Sequence, residues 1–452
     1  MERPITRRES LFVGGAAGTS ILAGCLGDDS GGDGDEIEPP DGSNDDDEPT
    51  DDTGEDGDRP DLPTRGVIYG FTQDAIVGVE PTQSDPIEIE SVPDVTWGDQ
   101  FVGPEYLYAV DQRRNQVHAL DLTSSRVTAT VDVGSDPEHG MYDETTGRAY
   151  VHIDDDADLF AISGADPDGV DATIDIAQEG HGKVRITNDG VAYLSNVVDG
   201  GVFEVDLAEE TVHHHHLASD HDDHHHSITR LSTVEQGSVR PLHGDGAGTH
   251  FIQYAEAADL VFVEEMDDGH HHSHHGSNQL EFLHNDDDDH DHNGGQTVIY
   301  DPAAETVIET LHIAGPIFKS SDGEEIAIID DGEVHFVDAL ADTPEVVASV
   351  DTGETPAVVR FSESYAIVIN EQSGDVAFVD RDSHEITETI PVTDQLMPSA
   401  QFGDEMLVTA GKETVFVIDI SEREITNEID INGLQYVQFV PEEIEVLSDA
   451  RY

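Results

Sequence analysis

Two segments near the end of the chain read almost as copies of one another. Residues 374–392 run GDVAFVDRDSHEITETIPV, and residues 413–431 run ETVFVIDISEREITNEIDI. Earlier versions are NQVHALDLTSSRVTATVDV at 115–133 and GGVFEVDLAEETV at 200–212. Each is a short apolar run ending in Asp, then a polar turn, then a second run in which apolar and polar residues alternate. Runs such as YAIVIN and VAYLSN precede them. Period-2 runs of β-branched and aromatic residues, broken by Gly, Asp, Asn and Pro, are strand signals, and no segment carries a sustained helical period. A repeat of this kind cannot bury its apolar faces alone and must stack on its neighbours. The fold expected is all-β, a single β-propeller of four-stranded blades.

The repeats divide the chain into units at 93–133, 134–176, 177–236, 237–314, 315–352, 353–394 and 395–432. Residues 66–92 form an incomplete blade. The tail GLQYVQFVPEEIEVLSD, from Gly433, supplies its missing inner strand. The expectation is eight blades, with seven as the fallback, closed by N- and C-terminal strands. Such closure removes unpaired sheet edges, so a monomer is expected.

Units 177–236 and 237–314 are too long for a blade of about 40 residues. The excess in each coincides with a histidine run, which predicts loop insertions at 211–228 and 267–295. The first run holds His213, His214, His215, His216, His221, His224, His225 and His226. The second holds His270, His271, His272, His274, His275, His284, His290 and His292. Packing does not gather histidine in this way. Neutral imidazole suits zinc, copper and nickel. Loops dense in His and Asp offer many equivalent ligand sets, so several weak, fast-exchanging sites are expected. The competing reading is a solvated low-complexity loop.

Three other histidines are each followed by glycine: His139 in SDPEHGMYD, His181 in AQEGHGKVR and His243 in VRPLHGDGAGTH. Each falls where one blade's outer strand crosses to the next blade's inner strand, at one mouth of the central channel. The three blades are consecutive, so the side chains are expected to converge, with Asp245 as a fourth ligand and His250 behind it. The glycines are expected to permit tight backbone geometry. The alternative is that the His-Gly pairs are turn residues with satisfied hydrogen bonds. His118 and His335 occupy matching strand positions and are expected to pack or hydrogen-bond, and His152, His312 and His384 read as isolated. DDDDHDHNGG at 286 is too irregular for an EF-hand.

The chain carries 100 acidic residues against 19 basic ones, a net charge of -81. With no basic stripe to neutralise phosphates, nucleic acid is excluded as a partner. Self-repulsion on this scale is tolerable when salt screens it, which points to a halophilic archaeon. At the N-terminus, Arg7 and Arg8 precede an apolar stretch from Leu11 to Ala23, closed by Leu-Ala-Gly-Cys at Cys25. Residues 1–25 read as a twin-arginine signal with a lipobox, in which Cys25 takes a lipid. Thirteen apolar residues fall short of a bilayer span. Residues 26–61 are an acidic disordered tether, holding 17 acids between Asp28 and Asp61, and 62–452 are the propeller. Cys25 is the sole cysteine, so internal disulfides and thiolate metal ligands are excluded. The expected location is outside the cytoplasm, on the cell surface, held to the membrane by the lipid alone.

There is no GxSxG elbow, P-loop, HExxH or dinucleotide fingerprint, and an enzyme is not expected. Signal, propeller, His-rich loops and His-Gly crossings together resemble the AztD-type periplasmic zinc metallochaperones, propellers of YncE-like build. PEHG, EGHGK and LHGDGAGTHF are the motifs that carry the resemblance, which covers about 66–452. It implies Zn2+ bound at the propeller mouth and handed to the substrate-binding lipoprotein of a zinc ABC importer. Cu2+ or Ni2+ stays open as cargo. By motif match, the mouth ligands carry over to His139, His181 and His243. The chain departs from the family in placing its His runs inside the propeller, and in its tether and lipobox. Rival readings are a metal buffer or store, a surface-structural propeller, and a metal-dependent propeller enzyme. Binding is expected to weaken below about pH 6 as imidazoles protonate.

Overall fold

The computed structural model describes residues 62–176, 180–198, 200–215, 217, 248–266, 295–403 and 405–442. Residues 1–61, with Arg7, Arg8 and Cys25, lie outside them. So do His216, the remainder of both histidine runs, His243 and Asp245.

All regular structure among the described residues is strand. It forms eight four-stranded antiparallel sheets, the eight blades expected. Seven are consecutive meanders, from Trp97–Asp132 as blade 2 to Ala400–Asp430 as blade 8. Blade 1 is composite. Its strands Val67–Thr72, Ala75–Val79 and Ile87–Ser91 are completed on the inner side by Leu434–Val440. The register runs from Val67 opposite Val440 to Phe71 opposite Tyr436. Each inner strand touches the inner strands of the blades on either side, which closes the ring.

Burial follows from position in the blade. The second and third strands are covered on both faces by neighbouring blades and read as unbroken apolar runs, as in YAIVIN and DVAFVD. The outer strands meet solvent on one face and alternate, as in RVTATVD. The Asp that ends the third strand has a structural cause. The side chains of Asp121, Asp206, Asp301, Asp380 and Asp419 all accept backbone N–H bonds from the following turn, at 2.7–2.9 Å for the shortest in each. Four residues on, the chain takes a left-handed conformation, at Ser125, Glu210, Glu305, His384 and Arg423. This turn, with its Asp side chain mimicking a backbone acceptor, is the recurring signature of the repeat.

Several cross-strand pairs run against the general rule that like charges avoid facing positions, such as Glu325 opposite Asp338. Asp158 sits directly opposite Asp175. Partial burial, then Asp175 and Asp156, push the Asp158 carboxyl up to about 6. A raised folded-state value gives stability that is complete below the unfolded value and lost as pH rises through 6. Asp158→Asn is therefore expected to melt roughly 1–2 °C above wild type at pH 8 in low salt. The gain should vanish near pH 4 and shrink in molar salt; melting curves across pH 4–8 check it.

Candidate metal centre

The inner strands of blades 2, 3 and 5 share an irregularity near their starts. The register with the next strand slips between Trp97 and Gln100, between Pro137 and Gly140, and between Thr249 and Ile252. Such a bulge re-aims side chains at a sheet end. The residues inside these three bulges include Asp99, Glu138, His139 and His250. In blade 4 the equivalent place is the turn before Val184–Ile186, where the His181 carbonyl accepts from Val197 N–H at 2.9 Å. All four places lie at the same end of the ring, because each belongs to the entry into an inner strand.

There the rings of His139 and His181 lie 5.1 Å apart between centroids, and those of His181 and His250 5.2 Å. Ligand atoms of Glu138, His139 and His181 all fall within 4.8 Å of one another, and so do those of Asp136, Glu138 and Asp154. Glu138 belongs to both groups. Each imidazole has a carboxylate at its Nδ1. Asp154 Oδ2 is 2.9 Å from His181, Asp99 Oδ2 3.8 Å from His139, and Glu264 Oε2 3.7 Å from His250. The other oxygen of Asp154 lies 2.9 Å from His152 Nδ1. At His181 the carboxylate is within hydrogen-bond distance of Nδ1 and fixes the tautomer that leaves Nε2 free of hydrogen, the arrangement that supports metal-bound histidine. The carboxylates near His139 and His250 stand beyond that distance.

The glycines after His139 and His181 are needed for space. Neither has a positive φ. A Cβ on Gly140 would collide with the Phe101 ring, and one on Gly182 with the Ser195 carbonyl oxygen. The tight backbone geometry expected of these glycines takes the form of close approach to neighbouring chain.

The pocket is buried and strongly charged. His139 is 5% exposed and His250 8%. Burial, then the positive charge of Lys183, pushes His139 down to about 3. Burial likewise holds His250 well below the ordinary range, with His181 and Lys183 adding to it. Both imidazoles are thus neutral at any pH near 7, as a metal requires. Burial drives Glu138 up to about 7, against the pull of His181, and drives Glu264 to about 7. Burial opposes the charge on Asp154 too, but hydrogen bonds from His152 and His181 outweigh it and hold the carboxyl below the usual range. A tetrahedral zinc with bonds of about 2.0–2.1 Å sets its ligands roughly 3.3 Å apart. The ligand atoms of Glu138, His139 and His181 have an upper limit of separation, 4.8 Å, somewhat above that spacing.

Of the residues singled out from sequence, the structure brings together His139, His181 and His250. His250, expected behind the site, stands in its third ring position. His213, His214 and His215 sit on the outer strand Thr211–His215 of blade 4 rather than in a loop. His214 stacks on Phe203 at 4.2 Å and 5°, and its Nε2 donates to the Gly200 carbonyl at 3.1 Å. His215 lies between Glu204 (3.0 Å) and the Tyr300 hydroxyl (2.9 Å). His118 and His335 bond to Thr130 and Ser349 as expected. His152 and His384 are not isolated: the first supports Asp154, and the second meets Glu325 at 2.8 Å. Sequence reasoning passed over Asp99, Glu138, Asp154, Lys183 and Glu264. Glu138 and Lys183 stood inside the motifs PEHG and EGHGK, but the three-dimensional neighbours Asp99, Asp154 and Glu264 carry no such flag.

No sequence-family model matches this chain, and no curated protein matches it by sequence. Solved structures of similar fold include apo AztD from Citrobacter koseri, at 11% identity over 82% of this chain and 96% of that one, with TM-score 0.52. The dihydro-heme d1 dehydrogenase NirN gives 10% identity, 84% and 76% coverage and TM-score 0.55. Saccharomyces cerevisiae Sqt1 gives 10%, 82% and 90%, and 0.51. At these identities the likeness is one of fold.

Proposed function

We propose that this protein is an extracytoplasmic zinc metallochaperone, exported by the twin-arginine route and anchored through a lipid on Cys25. It captures Zn2+ and passes it to the substrate-binding protein of a zinc ABC importer. The observation that carries this reading is the convergence of His139, His181 and His250 beside Glu138, with a carboxylate behind each imidazole. Two neutral, buried imidazoles and an acid suit zinc, and the remaining exposure of His181, 22% of its side chain, leaves an approach for a partner.

The histidine runs supply the capture step. One interrupts the crossing from blade 4 to blade 5, the other the link between the second and third strands of blade 5. In an antiparallel meander the strand ends that flank both connections lie at the end where the cluster sits. Their flanks touch there, Met266 N–H donating to the Gly248 carbonyl at 2.8 Å. Zinc taken up by many weak ligands then passes by ligand exchange to the cluster, and from it to the docked acceptor.

A transfer assay tests this. Zinc-loaded protein is mixed with the importer's substrate-binding protein in excess chelator. Zinc should reach the acceptor despite the chelator, and His139→Ala should abolish the transfer. If the acceptor gains zinc no faster than from a zinc–chelator buffer, the protein is a store and delivery is wrong.

A further inference from the structure

We infer that Lys183 is an internal cation that stands at the metal position of the cluster, and that incoming zinc must displace it from His139. The inference rests on the zinc reading of the cluster. Lys183 is 6% exposed and lies two residues after His181, at the entry to the inner strand of blade 4. Its Nζ stands 2.9 Å from His139 Nε2. An ammonium group only donates hydrogen bonds, so Nε2 is the acceptor. The ring proton therefore resides on Nδ1, facing Asp99. The lone pair that a metal would take is the one that Lys183 holds.

The charge around the ammonium is contributed from three blades. Asp99, Glu138 and Asp154 attract it, and Arg185 repels it. These carboxylates explain how a buried Lys is tolerated, and they offer it a new position when zinc enters. The same side chain does two opposed things. It holds His139 in the metal-ready tautomer, with the Nε2 lone pair turned to the ammonium. It also sets a positive charge within bonding distance of the ligand atom, where a divalent ion must come. Like charges a few ångströms apart repel strongly in a site of low dielectric. Lys183 thus lowers zinc affinity and speeds release, which suits a protein that hands its cargo on. A compact point charge on a flexible stem can leave and return.

The test uses the full chain with Zn2+ and a competing chromophoric chelator, at pH 7 and fixed molar KCl. It reads the class of site that disappears in His139→Ala. Lys183→Met should bind zinc at that site at least tenfold more tightly and release it to the chelator correspondingly more slowly. A merely structural role would weaken binding on removal, never tighten it. Unchanged or weaker affinity in a Lys183→Met protein with an unchanged melting point overturns the inference. Should that variant not fold, ¹⁵N NMR of the wild-type lysine ammonium decides instead. One equivalent of zinc must shift the Lys183 signal, and an unmoved signal overturns the inference. Absence of any His139-dependent zinc site in the wild type removes the cluster reading itself, an outcome separate from a site that binds but does not tighten.

Discussion

His181→Ala is expected to weaken zinc binding at the cluster by roughly 100-fold or more, while leaving the weak binding of the histidine runs in place. His181 is the central member, its ring about equally far from His139 and His250, so its loss leaves no adjacent pair. The carboxylate behind it should matter in proportion. Asp154 is held at 2.9 Å from both His181 and His152, and Asp154→Asn is expected to cost on the order of 10- to 100-fold, the range typical of outer-shell partners. Calorimetric titration with a competing chelator separates this tight class from the loops. An affinity in His181→Ala equal to wild type would show that zinc is held elsewhere. His181 is the most exposed of the three rings, so the melting temperature of the metal-free protein should move little.

Deleting residues 434–452 is expected to abolish cooperative folding. The strand Leu434–Val440 lends blade 1 its inner edge. It also buries Leu434, Val437, Phe439 and Val440 between blades. At about 1.5–3 kcal/mol for each fully buried apolar side chain, the loss is on the order of 6–12 kcal/mol. That equals the whole stability of an ordinary domain. The edge of Val67–Thr72 would also stand open, inviting pairing between molecules. Loss of a sharp thermal transition and a shift to large species on size exclusion are the expected readouts. A peptide spanning 433–442, added in trans, should restore the transition. A truncated chain that melts like the full one would mean the ring does not depend on this closure.

Much of this architecture was legible because it is written in local pattern. Blade number, the composite first blade and the Asp-ended third strand all follow from period, spacing and turn chemistry. The histidines at blade crossings were legible for the same reason: repeat position gives position around the ring. His139 and His181 therefore stood out from among 25 histidines. The loop boundary at 211 was placed too early, because His213–His215 look like the start of a low-complexity run. Pairing with Val202–Asp206 turns them into a strand, and the aromatic and acidic neighbours of that strand then fix His214 and His215 in packing roles.

What the sequence determined by itself was a closed ring of four-stranded blades, eight favoured over seven, and the end of it at which His139 and His181 fall. A repeat that cannot bury itself has few ways to close. What only the tertiary structure decided was the company each histidine keeps. Asp99 and Asp154 reach their imidazoles, and Lys183 reaches His139, across blades separated in sequence by tens of residues, while Glu264 reaches His250 from the neighbouring strand of the same blade. Those approaches depend on strand bulges and on glycines with no room for a Cβ. No one-dimensional pattern encodes such distances, since they arise only when the blades pack around one axis.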